Sequence, residues 1–213
     1  VSPTTTTFNV SGGGGDDTAM LYDGTGNDVL TAAPGDVSFT GSGFSYTVHN
    51  IANVNAYAEN GGVDTATFED SNSDDMFRAL PEYAYMRGGG FRNFGRGFDE
   101  VIGTVIHGGN DRARLYDDVS DDVLTAAPHM VKFVGAWFSY ISNNLYRVRV
   151  YSNAGGIDVA NYTGSTGDDD FFAYGQSHFM RGTGYYNYGR HFEQVHVDAA
   201  QGGSDRMVIK DVQ

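Results

Sequence analysis

An all-β repeat protein, a parallel β-solenoid or β-helix of four 47-residue repeats, is the fold this sequence predicts, on three observations. The first is a ruler: Gly14-Gly15 recurs as Gly61-Gly62, Gly108-Gly109, Gly155-Gly156 and Gly202-Gly203, 47 residues per step, with no insertion or deletion. The second is a period of two inside each repeat, in short runs bounded by Gly, Asp, Asn and Pro, which indicates strands with one buried face. The third is the lack of any helix-length stretch with a 3.6 period. Stacked coils tolerate no change of length, so an indel-free ruler suits a solenoid. A four-bladed β-propeller with one four-stranded blade per repeat is the alternative, since repeat length and number both fit it.

Along the chain, residues 1–11 (VSPTTTTFNVS) read as an edge or donor strand, standing where the last strand of a preceding repeat would be. Residues 12–201 form one domain of four repeats, 14–60, 61–107, 108–154 and 155–201, and 202–213 open a fifth repeat that serves as a closing or capping strand. Other columns keep the ruler: Ala32, Ala79, Ala126 and Ala173; Gly41, Gly88, Gly135 and Gly182; Val54, Val101, Val148 and Val195. A double period of 94 lies over it, because DVLTAAP occurs at 28–34 and 122–128 and MRGGGFRNFGRGF at 86–98 matches MRGTGYYNYGRHF at 180–192. In 61–107, Ala66 and Phe68, then Phe77 and Ala79, then Ala84, Met86 and Gly88, then Val101 and Gly103 alternate with polar neighbours. This gives four short strands per repeat, joined by EDSNSDD, LPEY, GGFRNFGRG and HGGND, all rich in turn-forming residues.

Composition narrows the function. The 213 residues carry 27 Asp and Glu against 13 Lys and Arg, a net charge of −14, so a nucleic-acid backbone is a poor partner. With no cysteine there is no disulfide, Cys-based zinc site or thiol chemistry. No apolar run is long enough to insert in a membrane. No signal peptide is seen, and Val1 is read as a terminus that removal of one would leave.

Sixteen of the 27 acids fall in four columns. Asp17, Asp64, Asp111, Asp158 and Asp205 follow the Gly-Gly pair; Asp23, Asp70, Asp117 and Asp211 end the next strand, with Gly164 breaking that column. The other two columns form the pairs Asn27-Asp28, Asp74-Asp75, Asp121-Asp122 and Asp168-Asp169. Carboxylates stacked a β spacing apart repel by roughly 1 kcal/mol per pair in water, and Ca2+, which takes oxygen ligands in irregular geometry, reverses that sign. All of these residues are therefore candidate metal ligands. The competing reading needs no metal, because Asp and Asn cap turns by accepting from nearby backbone N–H groups.

The opening stretch GGGGDDTAMLYDGTGNDVL resembles the Gly/Asp-rich repeats of secreted RTX proteins, and the whole-repeat pattern G-G-x-D-x-A-x-L-Y-D, continued by M-x-G-x-G-F-x-N and F-E-x-V, looks like the tandem repeats of large secreted bacterial surface proteins. The resemblance implies calcium held between successive rungs, an extracellular location, secreted or on the cell surface, and a structural or adhesive role without enzymatic activity. Unpaired strands at both ends add self-association into a homopolymer, as the subunit of a filament or matrix fibre.

A carbohydrate-binding or polysaccharide-modifying module is the other function in view. Arg87, Phe91, Asn93, Phe94, Arg96 and Phe98 match Arg181, Tyr185, Asn187, Tyr188, Arg190 and Phe192, read as aromatic-basic loops that either grip an acidic polysaccharide or pack corners. Trp137 stands in a column otherwise held by Gly43, Gly90 and Gly184, as a glycan or subunit contact or a plug for a local gap. Asn9 and Asn161 begin N-glycosylation sequons. The six histidines show no ligand spacing, and no catalytic motif is present, so no catalytic residue is assigned.

Overall fold

The computed structural model describes residues 5–210, and they form strands and turns with no helix among them. The chain divides into two compact units, Val1–Asn110 and Asp111–Gln213. In unit 1 the strands are β1 (Thr6–Ser11), β2 (Thr18–Tyr22), β3 (Val29–Ala33), β4 (Asp36–Gly41), β5 (Phe44–His49), β6 (Asn53–Tyr57), β7 (Thr65–Glu69), β8 (Met76–Leu80), β9 (Tyr83–Gly88), β10 (Phe91–Arg96) and β11 (Glu100–Thr104). Sheet I has the order β1-β5-β4-β3-β7-β11 and sheet II the order β2-β6-β10-β9-β8.

The fold is a β-solenoid. Strands from successive coils pair in parallel: Thr18 with Asn53, Thr65 with Val29, and Glu100 with Thr65. That register is what an insertion would break, which explains the strict ruler, and a propeller would not stack coils this way. Pairing is not parallel throughout, however. Each repeat also lays three strands side by side as an antiparallel meander, β3-β4-β5 on sheet I and β8-β9-β10 on sheet II. Five strands per repeat therefore replace the expected four. The extra one is β10: GGFRNFGRG, expected as a connection, is a strand whose Phe91, Asn93 and Gly95 are buried while Arg92, Phe94 and Arg96 face out.

The meander also explains the double period. Repeat 14–60 runs through sheets II, I, I, I, II, and repeat 61–107 through I, II, II, II, I. One 47-residue design thus alternates sides, and the same side returns only after 94 residues.

Unit 2 repeats this plan with β12 (Arg112–Tyr116), β13 (Val123–Ala127), β14 (Met130–Val134), β15 (Ser139–Asn143), β16 (Arg147–Tyr151), β17 (Val159–Thr163), β18 (Asp170–Tyr174), β19 (Ser177–Gly182), β20 (Tyr185–Arg190), β21 (Gln194–Asp198) and β22 (Arg206–Lys210). Its sheet I is ordered β15-β14-β13-β17-β21 and its sheet II β12-β16-β20-β19-β18-β22. Between the sheets of each unit lies a buried apolar core: Leu30, Phe39, Phe68 and Phe77 in unit 1, and Leu115, Phe133, Ala160 and Met180 in unit 2. Small residues let large ones in; a side chain at Gly103 would meet the Phe77 ring at 2.5 Å.

Candidate functional site

Each acidic column has one hydrogen-bonding task, repeated from coil to coil. In the first column of the pairs, the side chain accepts a backbone N–H 36 residues on. Asn27 accepts from Val63 at 2.9 Å, Asp74 from Asn110 at 2.9 Å, Asp121 from Ile157 at 2.8 Å and Asp168 from Ser204 at 2.7 Å. The second column turns inward: Asp28, Asp75, Asp122 and Asp169 are all buried and accept the N–H four residues back, of Gly24, Ser71, Asp118 and Ser165. Their other oxygens fill the space above Gly41, Gly88, Gly135 and Gly182, where a Cβ would come within 1.5–2.3 Å of them. The glycine column and the aspartate column are one structural feature, which the sequence displays as two.

In the column after Gly-Gly, Asp64 accepts the N–H of Asp28 at 2.7 Å, Asp158 that of Asp122 at 2.8 Å and Asp205 that of Asp169 at 2.9 Å. Asp64 and Asp158 pass the pattern on, donating their own N–H to Asp99 and Glu193. Asp111 is buried, and the carbonyl of Asp17 accepts from the Asn53 N–H. In the strand-ending column, Asp23 accepts from Asn60, Asp70 from Ile106 and His107, and Asp117 from Ala154. Asp211 lies outside the described residues.

The structure therefore gives Asp28, Asp75, Asp122 and Asp169 the turn-capping role expected above, while the bonded residues of the other columns reach to the next coil. Carboxylates bridge coils by accepting amide hydrogens, and the N–H dipoles offset part of their mutual repulsion. Burial raises the pKa of Asp28, Asp64 and Asp158 and pushes Asp122 up to about 7. Asp70 and Asp75, both buried in unit 1, bring carboxylate oxygens within 4.8 Å of each other, a hard all-oxygen arrangement that suits Ca2+.

The outer faces of the sheets differ in chemistry. Every Lys and Arg except Lys132 points outward from sheet II of its unit. In unit 1 these are Arg78, Arg87, Arg92 and Arg96, among Tyr83, Tyr85 and Phe94; Arg92 stands over the Phe94 ring at 4.9 Å and donates to Asn55. In unit 2, Arg112 pairs in register with Arg147, and Arg114 with Arg149. The next strands present Tyr186 and Tyr188, Phe179 and Arg181, then Asp170 and Phe172. Asp170 is the only acid among the described residues of this face, and the hydrogen bonds from Arg206 and Arg181 lower its pKa. The expected aromatic-basic loops are thus strands. Phe91, Asn93, Phe98, Tyr185, Asn187 and Phe192 are buried, whereas Arg87, Phe94, Arg96, Arg181, Tyr188 and Arg190 face out. Buried Asn93 and Asn187 donate across the core to the carbonyls of Ala33 and Ala127.

Four arginines of this face, Arg112, Arg114, Arg147 and Arg149, were not singled out in the sequence. Their signal is the alternation in RARLY and RVRV, which puts both arginines of each strand on one side. Trp137 is 81% exposed in the β14–β15 turn, so it fills no gap. Asn9 is exposed on β1, and Asn161 donates its amide to the Leu124 carbonyl within sheet I of unit 2. Buried His178 shares a hydrogen bond with the Tyr162 hydroxyl, and burial lowers its pKa to about 4. In comparisons with known proteins, no family model, no curated protein and no solved structure matches the chain.

Proposed function

We propose that this chain is an extracellular structural and adhesive repeat segment without enzymatic activity, built to associate with further copies of its own design. One observation carries the reading. The edge strands β1 in unit 1 and β22 in unit 2 turn apolar side chains toward the interior but leave them open: Phe8 is 54% exposed, Val10 46%, Met207 52% and Ile209 70%. Phe8, Val10 and Leu21 line an apolar groove of about 240 Å³ at the first of these edges. Strands with free N–H and C=O groups and an open core beside them accept another coil of the same kind.

Calcium belongs to this proposal at the corners, with Asp70 and Asp75 as its best-placed ligands in unit 1. Sedimentation velocity over a concentration series, in calcium and in EDTA, tests the association. Growth to larger species with concentration is expected, and Val10→Lys should suppress it. Monomers alone at every concentration would remove the association. A melting temperature unchanged by EDTA would remove calcium, because an ion bound only to the fold stabilises it by RT ln(1 + [L]/Kd).

A further inference from the structure

Sheet II of unit 2 carries positive charge that its surroundings do not balance. Arg112 with Arg147, and Arg114 with Arg149, are register partners on adjacent strands, so their backbones lie about 4.8 Å apart. Like charges set side by side on a sheet destabilise it. Among the described residues none of the four forms an ion pair, although the chain has 27 acids against 13 bases. Together they line a cleft of about 40 Å³, room for one small polar group. Beside it an aromatic shelf opens, lined by Phe172, Phe179, Tyr186 and Tyr188 around a groove of about 390 Å³. Phe172 and Phe179 stack at 4.9 Å, and Phe179 and Tyr186 at 5.1 Å.

We propose that this face binds a linear polysaccharide bearing carboxylate groups, with the four arginines holding its charges and the aromatic shelf carrying its sugar rings. Guanidinium groups match carboxylates in planar, two-pronged geometry. The rim of the stacked rings offers an apolar ledge to the C–H groups of a pyranose, and a chain laid across the strands meets a new side chain every strand spacing, a distance on the scale of one 1,4-linked sugar. Charge selects against the denser polyanions. Duplex DNA carries one charge per about 1.7 Å and extends well past the face, toward the corners where the acids stand. A carboxylated glycan bears at most one charge per sugar, and its attraction acts within a Debye length of about 8 Å in physiological salt. The inference gives the adhesive reading a ligand class and rests on it only for the extracellular setting.

The test is calorimetric titration of the intact chain with polygalacturonate oligomers in EDTA, which takes calcium and the corners out of the reading. Binding that weakens as salt rises is expected, together with at least about tenfold weaker binding of the carboxyl-reduced, neutral oligomer. The variant Arg112→Thr, Arg114→Met, Arg147→Asn, Arg149→Asn, in which unit 2 takes the residues unit 1 holds at the same slots, should fold as the parent does by circular dichroism and lose about tenfold or more in affinity. Lys132→Gln, away from this face, should bind as the parent. Equal binding of the neutral oligomer, unchanged binding by the four-site variant, or no binding at low salt would each overturn the proposal. So would tighter binding of a single-stranded oligonucleotide or of phosphatidylserine vesicles. None of these outcomes depends on whether the chain self-associates.

Discussion

At matching slots on sheet II, unit 1 holds Thr18, Met20, Asn53 and Asn55 where unit 2 holds Arg112, Arg114, Arg147 and Arg149. On the next strand the outward neighbour differs too, Arg92 in unit 1 against Tyr186 in unit 2, but the strand-end tyrosines and the core beneath keep their places. Tyr22 and Tyr57 stack at 5.0 Å with 15° between their planes, and their counterparts Tyr116 and Tyr151 at 5.2 Å with 17°. Leu30 and Leu124, Phe39 and Phe133, Asp28 and Asp122 are identical and buried alike. The difference separates two kinds of constraint. Inward and corner positions recur every 47 residues because each coil must meet the same neighbours whichever sheet carries its meander. Outward positions answer only to solvent or a ligand, and unit 1 shows that the four slots accept neutral residues within the same strands. The arginines therefore call for an explanation other than folding.

The largest effect expected from breaking this pattern lies at the corner glycines. A Cβ at Gly88 would stand 1.5 Å from Asp75 Oδ1 and 3.0 Å from the Asp74 carbonyl. Neither can give way cheaply, because Asp75 is buried and holds the Ser71 N–H at 2.6 Å. Gly88→Ala should cost about 2–4 kcal/mol in urea unfolding, by overpacking and by disturbing a buried carboxylate. Gly135→Ala, with Asp122 Oδ1 at 2.3 Å, should show a loss of the same order in unit 2. A cost below about 0.5 kcal/mol at both, the size of an ordinary surface substitution, would mean that the shared corner design does not constrain the fold.

Much of this architecture is legible in the sequence, because columns such as Val54 and Val101 or Ala79 and Ala126 record contacts that every coil must make. β10 escapes notice because Gly95 and the glycines on either side of the strand resemble those of a turn. Gly95 is there for packing instead: a side chain would meet the Phe98 ring at 3.0 Å and the Phe68 ring at 3.1 Å. The acidic columns are visible but ambiguous, since an ion and a backbone amide both call for a short oxygen-bearing side chain at a corner. Asn27 is the informative exception, because an amide there serves Val63 as the carboxylate of Asp74 serves Asn110. The arginine face stays hidden while charges are counted by repeat; it emerges when strand parity is applied to polar as well as apolar residues.

A smaller effect should separate Asp122 from the rest of its column. Burial holds its pKa at about 7, above the ordinary value of 3.8. Between those values the folded protein keeps a proton that the unfolded chain has released. Stability therefore falls as pH rises through that window and is level beyond it. Asp122→Asn keeps an acceptor for the Asp118 N–H, removes the titration, and should flatten the slope of melting temperature between pH 4 and 7. At pH 8 the variant should melt above the parent. An unchanged slope would place the pH dependence in Asp28, Asp64 and Asp158, whose values burial also raises.

The smallest expected change in stability belongs to the residues with the largest expected effect on binding. Giving unit 2 the unit 1 residues at the four arginine slots removes two side-by-side pairs of like charge and no ion pair. It also removes the Arg147 guanidinium that stands over the Tyr186 ring at 5.4 Å, a contact worth about 0.5–1 kcal/mol when exposed. The two changes oppose each other, so thermal unfolding at low salt should shift by no more than a degree or two. Added salt should raise the parent toward the variant, because screening relieves repulsion only where repulsion exists. A large loss of stability would show that the arginines serve the sheet after all, and the contrast between the units would then be one of folding rather than of ligand.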